Sequence, residues 1–258
     1  MPRINIVHFS DWHGVWDIKP LPPADLYICT GDMLPTFTPA NQQLDVTKET
    51  YEQAKYVRAR SGDFRSLILS NPRSPLVVVR GDKDFVHLSK LFGESNTFEI
   101  GKEVTEFTLQ VKGIGLKVAG FRGVSKMFRG DTDSHVVHSD GRLPATFLTL
   151  SKQLPLDADI LVTHTPPLGS LDKMNLSPLV VARVGVQGLH EYFQQRKHTP
   201  KKLKLHCFGH AHDSFCAIPL GSGKEKLLLS NAAGGYGGYL LEDDEITMRC
   251  VTKLPYLV

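Results

Sequence analysis

Residues 4–13 have the sequence Ile4-Asn5-Ile6-Val7-His8-Phe9-Ser10-Asp11-Trp12-His13. The run that opens this stretch is mostly apolar and β-branched, so it predicts a strand that ends abruptly in polar residues. An apolar run followed by polar residues recurs along the chain. These runs are nearly continuous in apolar residues, as is typical of strands that are covered on both faces. The predicted strands are Ile4–Phe9, Asp25–Cys29, Leu76–Val79, Lys117–Phe121, Asp159–Val162 and Lys204–Phe208.

Helical patterns lie between some of these strands. Apolar residues at helical spacing predict one helix at about Thr47–Arg60, capped by Asp45 or Thr47, and a second at about Leu179–Gln195. The chain after residue 206 is predicted to be all-β. Alternating strands and helices followed by a β-rich tail indicate an α/β or mixed sandwich. Since no repeat or linker divides the sequence, residues 1–258 are expected to form one domain.

Glycine and proline mark the turns and loops. Val111–Gly115 and Pro219–Gly223 are predicted to be hairpin turns. Met33–Asp45 and Ser125–Arg142 are long loops that follow strand ends, and loops of that length are often functional. We expect both loops to border a ligand-binding crevice.

The composition is that of an ordinary globular protein. Hydrophobic residues are 41% and charged residues 22% of the chain, which excludes a disordered protein, a collagen and a coiled coil. The net charge of +3 is too small to indicate nucleic-acid binding by itself. The scattered cysteines Cys29, Cys207, Cys216 and Cys250 favour reduced thiols. With neither a bilayer-spanning apolar run nor signal-peptide features, we expect a cytoplasmic protein with no membrane partner.

Acidic residues and histidines follow five of the predicted strands. The candidate site residues are Asp11, His13, Asp32, Asp82, His164, His210 and His212. In open α/β sheets the carboxyl ends of the strands converge on the ligand crevice, so these side chains are expected to meet. Asp11 and His13 are two residues apart, as are His210 and His212, so in extended chain each pair points the same way and could chelate. Taken singly, the residues around Asp11 and Asp32 are equally well explained by a turn or a helix cap, and His164 by a polar residue with satisfied hydrogen bonds, so only their joint occurrence indicates a site.

The residue types in this set are suited to transition metals. Mixed oxygen and nitrogen ligands favour Mn, Fe or Zn, are poor for Ca or Mg, and lack the thiolates of a structural zinc site. The ligands are too many for one tetrahedral ion, so we expect two divalent metal ions that share one carboxylate. Such a pair can generate a bridging hydroxide, bind phosphoryl oxygens and stabilise the attacking and leaving oxygens of an in-line displacement.

The motifs occur in the order Asp-x-His, Gly-Asp, Gly-x-x-Asp, a lone His after a strand, and Gly-His-x-His. This set resembles the calcineurin-like metallophosphoesterases, and Leu26–Asp32 and Thr163–Gly169 are similar to the small metallophosphoesterase-domain-containing proteins of the MPPED type. The resemblance implies a four-layer αββα sandwich of two mixed β-sheets flanked by helices. It also implies that Asp11, His13 and His212 hold one ion, that Asp82, His164 and His210 hold the other, and that Asp32 bridges both. Manganese is the expected metal, with iron or zinc as alternatives.

Asp82 and Lys83 depart from the family's third block, which usually has Gly-Asn-His-Asp/Glu. In that block the Asn is a metal ligand and the His is a candidate general acid. Asp82 can still coordinate a metal, and our hypothesis is that Lys83 is catalytic: it would offset the added charge and either clamp a phosphate oxygen or protonate the leaving group. Alternatively, Lys83 only pairs with Asp82 or Asp84, and much of the activity is lost. Other candidates for the missing His are His87, His135 and His138.

The sequence therefore predicts a metal-dependent phosphoesterase, specifically a phosphodiesterase that acts on a small-molecule phosphodiester. A nuclease is one alternative, supported by the basic segment Arg196-Lys197-His198 with Lys201, Lys202 and Lys204, although a solvated helix end is the commoner meaning of such a cluster. A weakly active, metal-binding regulatory protein is the other alternative, because Asp82-Lys83 replaces the usual Asn-His pair.

Overall fold

The structure is a computed structural model that describes residues 3–16, 19–39, 42–60, 64–125, 136–137, 147–177, 180–196, 199, 203–221 and 226–254. Its strands are β1 (Ile4–Ser10), β2 (Leu26–Cys29), β3 (Leu76–Val79), β4 (Thr97–Ile100), β5 (Thr105–Val111), β6 (Ile114–Phe121), β7 (Val124–Ser125), β8 (Val136–Val137), β9 (Ile160–Thr163), β10 (Lys173–Ser177), β11 (Val180–Arg183), β12 (Leu205–Phe208), β13 (Cys216–Leu220), β14 (Leu227–Asn231), β15 (Gly235–Glu242) and β16 (Glu245–Lys253). Its helices are α1 (Val46–Arg60), α2 (Phe64–Ile68), α3 (Leu88–Phe92), α4 (Phe147–Gln153) and α5 (Gln187–Arg196), with a 3₁₀ turn at His212–Ser214. Within these ranges, no helix is long and apolar enough to cross a membrane.

Two six-stranded mixed sheets form the framework. The first sheet has the strand order β16-β15-β1-β2-β3-β4, and the second has the order β13-β14-β12-β9-β6-β5. In the first sheet β1 to β4 are parallel neighbours, and β15 and β16 add antiparallel strands at one edge. In the second sheet β6, β9, β12 and β14 are parallel, and β5 and β13 are antiparallel edges. The described chain after residue 206 is all-β as predicted, apart from the 3₁₀ turn at His212–Ser214, and its strands join both sheets.

The two sheets pack face to face, and helices cover their outer faces. Because successive strand residues point to opposite faces, Ile4 and Ile6 join the core between the sheets whereas Val7 and Phe9 face helices. Apolar residues of α1, α2 and α3 cover the first sheet, and those of α4 and α5 cover the second. The αββα sandwich is therefore confirmed, and the continuous apolar runs arise because both faces of these strands are buried.

The predicted strands are present, with ends that differ by a few residues at most. Leu76–Val79 has the predicted bounds, and the helix predicted at Thr47–Arg60 begins one residue earlier, at Val46. Of the two proposed caps for this helix, Asp45 is the one that acts, because its Oδ1 accepts a hydrogen bond of 3.0 Å from the Lys48 N–H.

The helix predicted at Leu179–Gln195 is wrong in its first half. There the chain forms an antiparallel ribbon, β10 with β11, and only Gln187–Arg196 is helical. The Val184 N–H donates to the Asp172 carbonyl at 2.8 Å, and the Val186 N–H donates to the Pro166 carbonyl at 2.9 Å. These N–H groups therefore bind the preceding segment of the chain instead of forming the hydrogen bonds of a helix. The β-branched residues of β11 suit this extended conformation.

The hairpin predicted at Val111–Gly115 is confirmed. It joins β5 to β6 through Lys112 and Gly113, whose φ values of 50° and 79° suit a tight two-residue turn. Around the second predicted turn, Pro219–Gly223, Leu220 pairs with Leu227 in an antiparallel ladder, but residues 222–223 lie outside the described residues. Most of the Ser125–Arg142 loop also lies outside them.

Two histidines outside the candidate site are fully buried. The His8 ring bonds the Ser230 and Thr30 hydroxyls at 2.6 and 2.9 Å, and His206 Nε2 bonds the Thr163 hydroxyl at 2.9 Å. Burial opposes the charged imidazolium and lowers the pKa of each histidine from 6.5 to about 3.

These two histidines make the fold sensitive to acid. Between pH 6.5 and about 3 the unfolded chain binds protons that the folded chain does not, so the free energy of unfolding falls as pH falls through this range. Each histidine is expected to contribute roughly 1.4 kcal/mol per pH unit inside the window. Urea unfolding between about pH 7.5 and about pH 4 measures this slope. His206→Gln keeps an N–H donor but does not titrate. The slope of the free energy of unfolding against pH should therefore decrease by the amount that corresponds to about one bound proton. An unchanged slope would contradict the assignment of this pH dependence to His206.

Candidate metal centre

The predicted site residues come together at the carboxyl ends of strands from both sheets. The first sheet contributes three acidic residues, which follow β1, β2 and β3 in turn: Asp11, Asp32 and Asp82. The second sheet contributes His164, which follows β9, and the pair His210 and His212, which follows β12. The residues form three overlapping clusters in which the ligand atoms lie within 4.8 Å of one another. The clusters are Asp11 with His13 and His212, Asp82 with His164 and His210, and Asp11 with Asp32 and His164.

In the first cluster, His212 Nε2 is the central atom. It lies 3.3 Å from Asp11 Oδ1 and 3.3 Å from His13 Nε2. The His13 and His212 rings are stacked with their centroids 5.3 Å apart. Two imidazole nitrogens and a buried carboxylate oxygen therefore face one small volume, an arrangement that suits a cation bound by all three.

In the second cluster, Asp82 Oδ1 faces two histidines. It lies 3.4 Å from His164 Nε2 and 3.4 Å from His210 Nδ1. His164 Nε2 is also 3.6 Å from Asp32 Oδ2, and Asp32 is grouped with Asp11 of the first cluster. Asp32 and His164 thus connect the two halves of the site.

Two buried atoms of the second cluster lack hydrogen-bond partners among the described residues, His164 Nε2 and Asp82 Oδ1. The opposite ring nitrogen, His164 Nδ1, donates to the Thr30 carbonyl at 2.6 Å, which leaves Nε2 as the ring atom that a proton or a metal ion can occupy. Unsatisfied buried polar atoms are costly unless an ion or water meets them. A carbonyl that fixes the far nitrogen is also the usual support of a metal-binding histidine. These residues therefore fit a bound metal ion.

The ionisable groups of the centre depend strongly on one another. Burial, together with the charge of Asp82, raises the pKa of Asp32 well above its ordinary value. Burial also disfavours the charged form of Asp82, but His164 and His210 outweigh it and hold its pKa well below the usual range. The pKa of His164 is raised to about 10, since Asp32 and Asp82 outweigh its burial. Positive charge on His164 thus keeps Asp82 ionised, whereas burial and the charge of Asp82 favour a proton on Asp32 as long as no cation is bound.

Several candidate ligands adopt a left-handed backbone, which non-glycine residues rarely do. Asp11, His13, Asp32 and His210 have φ values of 59°, 47°, 50° and 67°. The Asp11 N–H donates to the Gly31 carbonyl at 2.8 Å and the His13 N–H donates to the Asp32 carbonyl at 2.9 Å, so neighbouring strand ends hold these conformations. Backbone strain of this kind is concentrated at functional sites.

Two glycines make room for the carboxylates. A Cβ on Gly81 would lie 2.1 Å from Asp32 Oδ1, and a Cβ on Gly209 would lie 2.1 Å from Asp11 Oδ2. The glycines of the Gly-x-x-Asp and Gly-His-x-His motifs therefore serve close approach to a carboxylate from a different strand.

Lys83 lies at the second cluster. Its Nζ pairs with Asp82 Oδ2, and its backbone N–H donates to Asp32 Oδ1 at 2.7 Å. Burial disfavours the charged ammonium, but Asp82 and Asp32 outweigh it and raise the pKa of Lys83. The pairing with Asp82 is one of the arrangements predicted from the sequence, whereas Asp84 points elsewhere.

Asp84 supports the backbone around the candidate centre, a role that its place in the Gly-x-x-Asp motif did not predict. It is fully buried, and its Oδ1 accepts bonds of 3.0 Å from the N–H groups of Met33 and Leu34 while Oδ2 accepts one of 3.1 Å from Gly81. Asp84 therefore ties the Met33–Asp45 loop to the segment that carries Asp82. The Gly14 N–H also donates to the Met33 carbonyl at 2.9 Å, which places the start of this loop beside His13 as expected.

The remaining candidates contribute less. His87 is exposed and bonds Glu99 Oε1 at 3.0 Å, outside the three clusters, and His135 and His138 lie outside the described residues. In the basic segment, Arg196 and Lys204 are buried rather than solvated. Arg196 donates to the Ala158 carbonyl at 3.1 Å, and Lys204 pairs with Asp159 at 2.7 Å. Lys197, His198, Lys201 and Lys202 lie outside the described residues.

Comparison with known proteins gives remote likenesses. No family model matches the chain. A curated relative, a probable rhamnogalacturonate lyase C of Emericella nidulans, is 25% identical over 215 residues, which are 82% of this chain and 17% of that protein. The chain therefore spans about a sixth of the length of the curated relative that it matches.

Solved structures show similarity in fold. One solved chain, 14% identical, is matched over 97% of this chain and 100% of its own length with a TM-score of 0.54. GAP50, the anchor in the inner membrane complex of Plasmodium, gives 0.46 at 11% identity over 96% of this chain and 84% of its own. The 5'-nucleotidase of Candida albicans gives 0.44 at 16% identity over 92% of this chain and 46% of its own. The first of these matches shows that the overall fold is shared with a known structure.

Proposed function

We propose that this protein is a metal-dependent phosphoric ester hydrolase that acts on phosphodiesters. The observation that carries the proposal is the convergence of the three donor clusters, with His164 Nε2 and Asp82 Oδ1 buried and without hydrogen-bond partners in the described part of the chain. Asp11, His13 and His212 would hold one divalent ion; Asp82, His164 and His210 would hold a second; and Asp32 would serve both. The order of the five strand-end motifs supports membership of the calcineurin-like metallophosphoesterases.

The donor set favours manganese, with iron or zinc as alternatives, because carboxylate oxygens are combined with imidazole nitrogens and no thiolate. When bound, two such ions lower the pKa of water and polarise phosphoryl oxygens. The residues of the chain supply the rest of the chemistry. The Thr30 carbonyl orients the His164 ring through the 2.6 Å bond from Nδ1, and the N–H of Lys83 holds Asp32 Oδ1 at 2.7 Å.

Lys83 is suited to contact the substrate. Its side chain is 39% exposed while its Nζ is held at Asp82, so the ammonium lies at the boundary between the donor clusters and solvent. Asp82 and Asp32 outweigh burial and raise its pKa, which keeps it protonated at neutral pH. A protonated Lys83 would hold a phosphoryl oxygen of the substrate, and positive charge of a cation bound beside Asp82 would lower the pKa of Lys83 toward the range in which it could deliver a proton to the leaving oxygen.

Hydrolysis of an aryl phosphodiester and of the matching aryl phosphomonoester tests the proposal. Protein freed of metal with a chelator should be inactive, and Mn²⁺ should restore hydrolysis with a preference for the diester. Parallel reactions with Fe²⁺, Zn²⁺, Ni²⁺ and Mg²⁺ identify the metal that supports turnover. Failure of all five ions to support hydrolysis of either ester would contradict the proposal.

Gly81→Ala is predicted to impair the centre without changing any of the proposed ligands. The added Cβ would displace Asp32 Oδ1, since the two atoms would be 2.1 Å apart. We expect a loss of turnover and of metal affinity of at least about tenfold, as for other changes to the support of a metal ligand. Gly101→Ala is the matched control, because its Cβ would meet only Thr105 Oγ1, at 3.4 Å. Equal activity of the two variants would count against the close-approach role of Gly81.

A further inference from the structure

Gln53 of α1 is a fully buried polar side chain that the proposed chemistry does not use. Its Nε2 donates to the Lys83 carbonyl at 2.6 Å and to the Pro35 carbonyl at 3.1 Å. Its Oε1 accepts a bond of 2.8 Å from the Phe85 N–H. One amide thus satisfies backbone groups of two separate segments, the one that carries Asp82 and Lys83 and the one that begins the Met33–Asp45 loop.

The Lys83 peptide is held from two sides. On one side its N–H donates to Asp32 Oδ1 at 2.7 Å, and on the other its carbonyl accepts from Gln53 Nε2 at 2.6 Å. The Phe85 N–H, bound to Gln53 Oε1, fixes the same segment two residues further on. An amide of this length supplies both donors and the acceptor at once, which neither a carboxylate nor an apolar side chain can do.

A second polar residue on the same face of α1 provides a contrast. Glu49, one helical turn earlier, is also fully buried, and its carboxylate accepts bonds from the N–H groups of Phe37 and Thr38. Glu49 therefore braces only the loop, whereas Gln53 braces both the loop and the Lys83 segment. Comparing variants of Gln53 with variants of Glu49 therefore distinguishes the effect of holding Lys83 from the effect of anchoring α1 to its surroundings.

We propose that Gln53 is a positioning residue that holds the Asp82–Lys83 segment against the metal centre. The inference rests on the proposed function, because it assigns Gln53 to the support of that same site. Loss of the Gln53 amide leaves the Lys83 and Pro35 carbonyls and the Phe85 N–H without their partner in the protein interior. The segment then relaxes, and Asp82 loses its fixed position relative to His164 and His210.

Hydrogen exchange and metal titration of three variants test this role. Gln53→Met removes every polar contact at similar size, Gln53→Glu keeps the acceptor for Phe85 but removes both donors, and Glu49→Gln is the control. Amide exchange over residues 81–85 should accelerate in both Gln53 variants, whereas Glu49→Gln should accelerate exchange only around residues 36–38. Titration with Mn²⁺ should show affinity weakened by about 10-fold or more in the Gln53 variants, the usual size of a supporting-shell effect, and unchanged in Glu49→Gln.

Unchanged exchange at residues 81–85 in both Gln53 variants overturns the inference, whether or not metal binds. Equal loss of Mn²⁺ affinity in Glu49→Gln also overturns it, since that result assigns the effect to α1 as a whole. A wild-type protein that binds no Mn²⁺, Fe²⁺ or Zn²⁺ contradicts the proposed function, and the exchange measurement then still decides whether Gln53 holds the Lys83 segment.

Discussion

Asp32→Asn is expected to lower phosphodiester hydrolysis by at least about a thousandfold, which corresponds to roughly 4 kcal/mol of transition-state stabilisation. Asp32 lies between the two halves of the centre: its Oδ2 is 3.6 Å from His164 Nε2, and it shares a donor cluster with Asp11. Replacing this carboxylate by an amide removes the negative charge that both proposed ions would share. The loss should therefore exceed that of a substitution confined to one half of the site.

The same substitution should leave the fold intact. An Asn at this position keeps an oxygen that can accept the Lys83 N–H, and it removes one of several buried negative charges that repel each other. The free energy of unfolding of the metal-free protein should therefore be equal to or greater than that of the wild type. The two readouts are steady-state hydrolysis with Mn²⁺ and urea unfolding in the presence of a chelator.

Asp25→Asn is the matched control for this prediction. Asp25 stands directly before β2 and Asp32 follows it, so the same chemical change is made at opposite ends of one strand. Asp25 accepts the Asn5 N–H at 2.8 Å and pairs with Lys112 at 2.9 Å, away from the donor clusters. Its replacement should leave hydrolysis within about twofold of wild type, in line with the small effect of partly exposed ion pairs. Comparable activity of Asp32→Asn and Asp25→Asn would remove Asp32 from the site.

The pair Asp82 and Lys83 is expected to behave as one unit. Asp82→Asn leaves the Lys83 ammonium without its partner carboxylate, and Lys83→His removes the cation that pairs with Asp82 Oδ2. Each single substitution should lower turnover by about a hundredfold, because a charged group beside the proposed metal ligands loses its partner. The double variant Asp82→Asn with Lys83→His restores the usual Asn-His pair and should be more active than either single variant.

A double-mutant cycle on turnover with Mn²⁺ measures this coupling. Losses that add strictly would show that Asp82 and Lys83 act independently, and would reject the compensation. A Lys83→His variant that exceeds the wild type would instead support the alternative that Lys83 only neutralises Asp82 at the expense of activity. Lys48→His offers a control for the same change at an exposed lysine of α1.

The strands and the convergence of the candidate site residues could be predicted from the sequence because both leave local signals. Ile4–Phe9 and Leu76–Val79 are apolar runs, and the strand ends carry the polar residues that a sheet edge brings together. The pairing of β10 with β11 left no such signal. Val180 and Val184 lie four residues apart, a spacing that is typical of one face of a helix. The chain nevertheless forms the β10–β11 ribbon, because its backbone groups make hydrogen bonds to residues distant in the sequence.

The supports of the site were equally hidden. Asp84 was considered from the sequence only as part of the Gly-x-x-Asp motif and as a partner of Lys83, yet it binds N–H groups about 50 residues earlier in the chain. Gln53 and Glu49 lie on a helix that carries no recognisable motif. Their partners are backbone atoms, and because every residue has the same backbone groups, the sequence does not indicate which of them these side chains bind. Only a few residue types bind metal ions, so candidate ligands can be recognised in a sequence. A side chain that supports a loop can be of many types, and only its position in the fold reveals the role.

Anomalous diffraction from crystals grown with Mn²⁺ tests most directly whether these residues hold a pair of ions. Two adjacent peaks are expected, one among Asp11, His13 and His212 and the other among Asp82, His164 and His210, with Asp32 in contact with both. No peak at these residues at saturating Mn²⁺, and none when Fe²⁺ or Zn²⁺ replaces it, would contradict the account.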